Sequence, residues 1–188
     1  EVRVLHLLLS FALLVYFGIR LLFANRNSRH GNRYALLGAG AFVALWALSV
    51  AVTLLLDRPE RLPMLDAADV LARYALGIPG ALIAAWAIWL EQNSFKRRGM
   101  ERFGRALLGA AAALFLYGLS QIFTHPSFLF PSTVVNSDLF IALFGVPIQV
   151  VRAVLATLMA VSIIRALSVF EIETQQRLAA ARDARDAA

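Results

Sequence analysis

Five stretches of this 188-residue chain are each apolar over about 20 residues, the length that a helix needs to cross a bilayer. The composition agrees, because 60% of the residues are hydrophobic, more than a soluble domain of this size can hide in one core. Lipid offers no partners to backbone N–H and C=O groups, so each stretch should be a helix, whose backbone groups bond internally. The sequence therefore predicts an all-α, polytopic transmembrane helix bundle with spans at residues 4–23, 34–56, 70–90, 106–123 and 148–170.

Positive charge in the short loops predicts the orientation of this bundle, because Lys and Arg concentrate on the cytoplasmic side. The loops after the first and third spans are basic, whereas loop 57–69 is mixed in charge and loop 124–139 contains no Lys or Arg. We therefore expect the amino end outside and the carboxyl end in the cytoplasm, and the net charge of +6 requires no nucleic-acid partner. The basic loop residues are Arg26, Arg29, Arg33, Lys96, Arg97, Arg98, Arg102 and Arg105.

The last span continues into a charged segment, 171–188, without an intervening Pro or Gly. Nothing in the sequence obliges the helix to end at the membrane surface, so we expect one continuous rod. The segment 171–188 is predicted to be a cytoplasmic signalling helix with a weak coiled-coil pattern, and a solvated juxtamembrane helix is the alternative. An outside amino end that starts at Glu1 without a signal peptide indicates a fragment of a longer protein.

The third span contains residues that disturb a helix. Pro79 removes a helix hydrogen bond, so we expect a bend near residues 75–79, and Gly77 and Gly80 allow a neighbouring helix to approach. Packing geometry alone is a sufficient explanation for this pattern. Asp69 and Arg73 lie four residues apart near the start of the span and are expected to pair on one helix face.

Arg152 lies about one helical turn inside the last span, shortly after Pro147 and Gln149. An ionisable residue at membrane depth is costly and usually faces the bundle interior, a cavity or a partner. Asp138 or an anionic ligand is a candidate partner for Arg152. The alternative is that its long side chain reaches the outer interface.

Two of the three histidines, His6 and His125, are predicted at the same depth, at the outer ends of the first and fourth spans. Two imidazoles from different helices can hold a b-type haem as axial ligands of its iron, and an arginine can bind a propionate. Ordinary interface histidines are the alternative, and a quinone site with Arg152 is a further candidate. The candidate cofactor-binding residues are His6, His125, Gln149 and Arg152, with His6 and His125 as the metal ligands.

No catalytic residue is predicted within this chain. It contains no cysteine, which excludes disulfides, thiolate metal sites and cysteine nucleophiles. It also contains no zinc-protease, P-loop or nucleophile-elbow motif, and no cluster of carboxylates at membrane depth. The lack of paired interrupted helices argues against a transporter.

Several segments resemble the multi-span amino-terminal membrane region of bacterial sensor histidine kinases and diguanylate cyclases. These segments are PSTVVNSDLF at 131–140, VPIQVVRA at 146–153, RALSVFE at 165–171 and LGIPGA at 76–81. The resemblance covers most of the chain from Tyr74 onward. It implies a sensory input region of about seven spans in the bacterial inner membrane, followed by a kinase or cyclase output domain. It also implies a homodimer through the last helix.

Two other functional classes remain open at this point. One is a membrane redox protein that carries haem b or a quinone and has no output domain. The other is a structural subunit of a membrane complex. A kinase or cyclase domain downstream would favour the sensory interpretation, and a stop codon there would favour the redox carrier.

Overall fold

The structure is a computed structural model that describes residues 2–24, 30–56, 64–97 and 99–186. Throughout these residues it is all-α, with no β-strand. The arginines 26, 29 and 98, the charged loop at 57–63 and the last residues of the charged tail, 187–188, lie outside the described part of the chain. The helices are α1 (Val2–Ala24), α2 (Gly31–Leu56), α3 (Met64–Ala72), α4 (Ile78–Arg97), α5 (Glu101–Ser120), α6 (Ser137–Phe144) and α7 (Ile148–Asp186).

Five helical stretches are long and apolar enough to cross a membrane, which confirms the predicted fold class. The first, second and fifth agree with the predicted spans to within three residues at each end, and the other two differ more. The third runs over Met64–Arg97 and is longer at both ends than 70–90, and the fourth occupies Glu101–Ser120 rather than 106–123. The fourth ends early because the next three residues form tighter turns, in which each N–H donates to the carbonyl three residues back.

The bundle is built around α4, which packs between α1 and α5, with α2 outside α1 and α7 outside α5. Small residues allow these close approaches, as is usual in membrane helices. A Cβ added at Gly18 of α1 would lie 2.8 Å from the backbone nitrogen of Ala84 in α4. A Cβ added at Gly118 of α5 would lie 2.7 Å from the Cβ of Ala81 on the other side of α4.

A π-helical turn, Arg73–Gly77, joins α3 to α4 where the sequence predicts a bend. The N–H of Ile78 donates to the carbonyl of Arg73, five residues back, instead of the usual four. Pro79 has no N–H to donate to Ala75, so the normal hydrogen-bond ladder is already broken at this point. The distortion predicted at 75–79 is therefore present as a change of helix register.

The connection from α5 to α7 contains a short helix, α6, which the sequence analysis did not predict. Asn136 caps its start, because its side-chain oxygen accepts hydrogen bonds from the N–H groups of Asp138 and Leu139. Gly145 ends it with a φ of 70°, a conformation that favours glycine. After Pro147, α7 runs from Ile148 to Asp186 without interruption, so the expected continuous rod is present in the structure.

Candidate functional site

Most buried polar side chains of the described chain gather at one end of the bundle, where α1, α3 and α7 begin and α5 ends. Burying polar groups is costly unless they bond to one another, so such a concentration at membrane depth indicates a candidate functional site. We call this group the polar cluster. Its members are Asp69, Arg73, Ser120, Gln121, Thr124 and the partly buried Arg152.

Arg73 connects the π-helical turn to the end of α5. Its Nε donates to Oδ2 of Asp69 at 3.1 Å, and its Nη1 donates to Oε1 of Gln121 at 2.8 Å. The expected pairing of Asp69 with Arg73 is confirmed, but the pair is buried, with side-chain exposures of 6% and 11%. The neighbouring Tyr74 hydroxyl donates to the carbonyl of Ile122 at 3.1 Å, so two consecutive residues of the turn hold the chain that follows α5.

Arg152 holds the end of α5 from the side of α7. Its Nη2 donates to the carbonyls of Ser120 at 2.8 Å and Phe123 at 2.9 Å, and its Nε donates to the Ser120 hydroxyl at 3.4 Å. Carbonyls at a helix carboxyl end lack helical partners and carry partial negative charge, so a cation there is favourable. Asp138, the suggested partner, is exposed, and its Oδ1 accepts instead from the Ser137 hydroxyl.

Asp69 lies among several basic side chains. Besides Arg73, its carboxylate is 3.8 Å from Nη2 of Arg3 and 3.7 Å from Nδ1 of His125. Its Oδ1 is buried and accepts no hydrogen bond from a described residue. One buried carboxylate therefore faces two arginines and a histidine at this end of the bundle.

The four predicted site residues all lie at this end but line two different cavities. His125 and Gln149 line a cavity of about 460 Å³ together with Asp66 and Asp69. His6 and Arg152 line a second cavity of about 420 Å³ together with Arg73 and Tyr117. Arg3 lines both cavities.

The two histidines are not arranged as an axial pair. Nδ1 of His6 lies 2.9 Å from the carbonyl of Val2 on its own helix, and the side chain is exposed. Nδ1 of His125 faces Asp69, and its Nε2 is buried without a partner among the described residues. Axial ligation requires both imidazoles to face one iron from opposite sides, whereas these two line separate cavities. The residues present therefore fit a bis-histidine haem poorly, and quinone binding stays a prediction.

Arg3, Gln121 and Ser120 also take part in the site, although the sequence did not predict them. Arg3 lies one turn before His6 and has the same kind of signal as Arg152, a basic residue at the margin of a span. Gln121 and Ser120 give a weaker signal, because a single amide or hydroxyl near the end of a span is common. Their importance depends on where α5 ends, which the hydropathy pattern did not predict.

Comparison of the chain with known protein families, with curated proteins and with solved structures finds no match in any of the three.

Proposed function

We propose that this chain is the membrane-embedded sensory input module of a bacterial signal-transduction protein. In this proposal, a ligand, redox or membrane-state signal received by the bundle passes through α7 to a cytoplasmic histidine kinase or diguanylate cyclase domain. The module itself carries no catalysis, and it acts as a homodimer in the inner membrane. The resemblance of the segments at 131–140, 146–153 and 165–171 to such sensors supports this proposal.

One observation carries the proposal: the helix that holds Arg152 in the polar cluster is the helix that extends to Asp186. Of the 39 residues of α7, Arg152 is the fifth, and its hydrogen bonds join the start of α7 to the end of α5. A change in these contacts therefore acts directly on the position or rotation of α7. No flexible connection separates that change from the far end of the helix.

The mechanism requires two packings of α7 against α5. A signal that binds one packing better than the other shifts their populations by its difference in affinity. Because α7 packs mainly against α5, a shift or rotation of α7 breaks few contacts with the rest of the bundle. A packed helix responds as a rigid element, so the shift reaches the cytoplasmic end.

Insertions into α7 test this mechanism. Residues 1–188 are joined to a reporter diguanylate cyclase domain, and one, two, three or four alanines are inserted after Glu171. Each inserted residue rotates the output domain by about 100° relative to the bundle and raises it by about 1.5 Å. Cyclase activity should therefore rise and fall with helical phase and return towards its starting level after four insertions.

The control is a second fusion, in which a flexible glycine-serine linker separates the end of α7 from the reporter. The same numbers of residues are inserted within that linker. These insertions should leave activity unchanged, because a flexible linker transmits no rotation. Activity that falls steadily with insertion length after Glu171, with no dependence on phase, would contradict transmission through a rigid helix.

A further inference from the structure

We propose that the cavity lined by Arg3, His6, Arg73, Tyr117 and Arg152 is a binding site for an oxyanion, a carboxylate or phosphate group attached to an apolar body. The site is formed by the start of α1, the π-helical turn, α5 and the start of α7. The proposal that an anion binds rests on the geometry of the cavity alone. Its interpretation as the stimulus site of α7 rests on the proposed sensory function.

The first reason to expect anion binding is that two arginines in this cavity have unused hydrogen-bond donors. Arg73 uses Nε and Nη1, and Arg152 uses Nε and Nη2, in bonds to described residues. Nη2 of Arg73 and Nη1 of Arg152 bond to no acceptor in the described chain, although both side chains line the cavity. Guanidinium groups with free N–H donors bind carboxylate and phosphate oxygens in fixed geometry, often through two bonds.

The second reason is charge. Asp69, the buried carboxylate at this end, is engaged with Arg73, Arg3 and His125. Arg152 bonds only to neutral acceptors, and among the described residues no carboxylate lies within ion-pair distance of it. Arg152 therefore has no carboxylate in direct contact among the described residues, and two further arginines line the same cavity. An anion there relieves the repulsion among these three cations.

The positions of the arginines are already fixed before a ligand binds. Arg73 is held by Asp69 and Gln121, and Arg152 is held by two carbonyls and a hydroxyl. Side chains held in this way lose little conformational entropy on binding, so their contacts contribute more to affinity. Arg3, whose side chain is 76% exposed, is free to close over a bound group.

The size and lining of the cavity indicate what carries the anion. Its volume of about 420 Å³ lies within the range of small-molecule sites. Leu7 and Phe11 of α1 provide an apolar wall beside the arginines. An organic acid with a short apolar body matches this lining, and so does the phosphate of an anionic lipid with the start of its acyl chain. The two ligands share one chemistry and differ in their source.

Direct binding measurements test the site. The protein is reconstituted in phosphatidylcholine nanodiscs and titrated by calorimetry with phenyl phosphate and benzoate, and with benzylammonium as the cationic counterpart. Both anions should bind and benzylammonium should not. Arg152→Gln should weaken anion binding about 10- to 100-fold, because it removes a charged hydrogen-bond donor. Arg3→Gln should weaken it about 2- to 5-fold, as expected for an exposed charge.

Two matched variants each remove one positive charge from α1 or α7, the helices that carry Arg3 and Arg152, at a position away from the cavity. Arg20→Gln removes a charge near the other end of α1, and Arg165→Gln removes one further along α7. Both residues are exposed, and neither lines the cavity. Both variants should bind the anions like the wild type. Because Arg152 also holds α5, its variant is informative only if its melting temperature is preserved, whereas Arg3→Gln removes one long ion pair and leaves the fold intact.

Native mass spectrometry of protein purified from bacterial membranes identifies the source of the anion. Phosphatidylglycerol retained by the wild type and lost from Arg3→Gln would assign the site to a lipid headgroup. Anion binding in nanodiscs without retained lipid would assign it to a soluble acid.

Anions that bind no tighter than benzylammonium, together with no retained lipid, would overturn the proposal. So would equal anion affinities of Arg3→Gln and Arg20→Gln. A failed insertion experiment in α7 would leave these binding results intact.

Discussion

At the scale of single residues, Asp69 determines the charge balance of the polar cluster. It is the buried carboxylate of this end, and two arginines and a histidine surround it. Removing one partner of a buried ion pair leaves the other charge uncompensated, which costs more than the pair contributes. Asp69 should therefore matter more for stability than its three contacts, with Arg73, Arg3 and His125, would if they were exposed.

Replacing Asp69 with alanine should lower the free energy of unfolding by about 3 kcal/mol, because Arg73 then stays buried with only Gln121 as a partner. The double variant Asp69→Ala, Arg73→Met should recover part of this loss, since it buries no unpaired charge. Denaturant unfolding in detergent measures both values.

Asp66→Ala is the matched control for this variant. It removes an exposed carboxylate one turn earlier on α3 and should change the free energy of unfolding by less than about 0.5 kcal/mol. If Asp69→Ala is no more destabilised than Asp66→Ala, the buried pair does not have the stabilising role assigned to it here.

The residues of the site differ in how far the sequence reveals them. Asp69 and Arg73 are predictable as a pair because they lie four apart on one helix, and the structure confirms their contact. The partner of Arg152 is not predictable in the same way. Its acceptors are mainly backbone carbonyls, at Ser120 and Phe123, which any residue type carries. A search for a carboxylate therefore leads to Asp138, which is not the partner.

At the scale of helices, hydropathy predicts the number of spans well and their internal geometry poorly. All five spans follow from apolar length, because the requirement to satisfy backbone groups in lipid is the same for every helix. The π-helical turn depends on whether Ile78 donates to Arg73 or to its usual acceptor. Pro79 shows that the ladder is broken without showing which register replaces it.

Gly18 tests the close packing of α1 on α4. Replacing it with alanine places a Cβ 2.8 Å from the backbone nitrogen of Ala84 and 2.9 Å from its Cα, and backbone atoms in a packed helix have little freedom to move. We expect a loss of about 1–3 kcal/mol in the free energy of unfolding, the usual cost of overpacking. The same denaturant titration in detergent measures it.

Gly40→Ala is the matched comparison for this substitution. A Cβ at Gly40 would meet nothing within 4 Å, so the change should be neutral or stabilise α2 by up to about 1 kcal/mol through helix propensity. Equal effects of the two substitutions would show that α1 and α4 are further apart than the structure indicates.

At the scale of the whole molecule, α7 connects two regions of different chemistry. Its beginning lies in the polar cluster, and its later part extends beyond the span Ile148–Ile172. The positive-inside rule predicts that the polar cluster lies outside and the far end of α7 in the cytoplasm. Of the basic residues behind this prediction, Arg26, Arg29 and Arg98 lie outside the described part of the chain, and the other five lie within it.

Single cysteines test this orientation directly, because the natural chain contains none. Val134→Cys, at a position that is 63% exposed between α5 and α6, should react with a membrane-impermeant maleimide in intact cells. Gln175→Cys, at an exposed position of α7 beyond its span, should react only after the cells are permeabilised, since one span separates the two positions. Leu158→Cys, in the middle of that span, should stay unlabelled in both cases, because a thiol in lipid is not deprotonated.

The reverse labelling pattern for Val134→Cys and Gln175→Cys would invert the bundle and place the arginine-lined cavity in the cytoplasm. Labelling of both from the same side would show that α7 does not cross the membrane, and α7 could then not carry a signal across it.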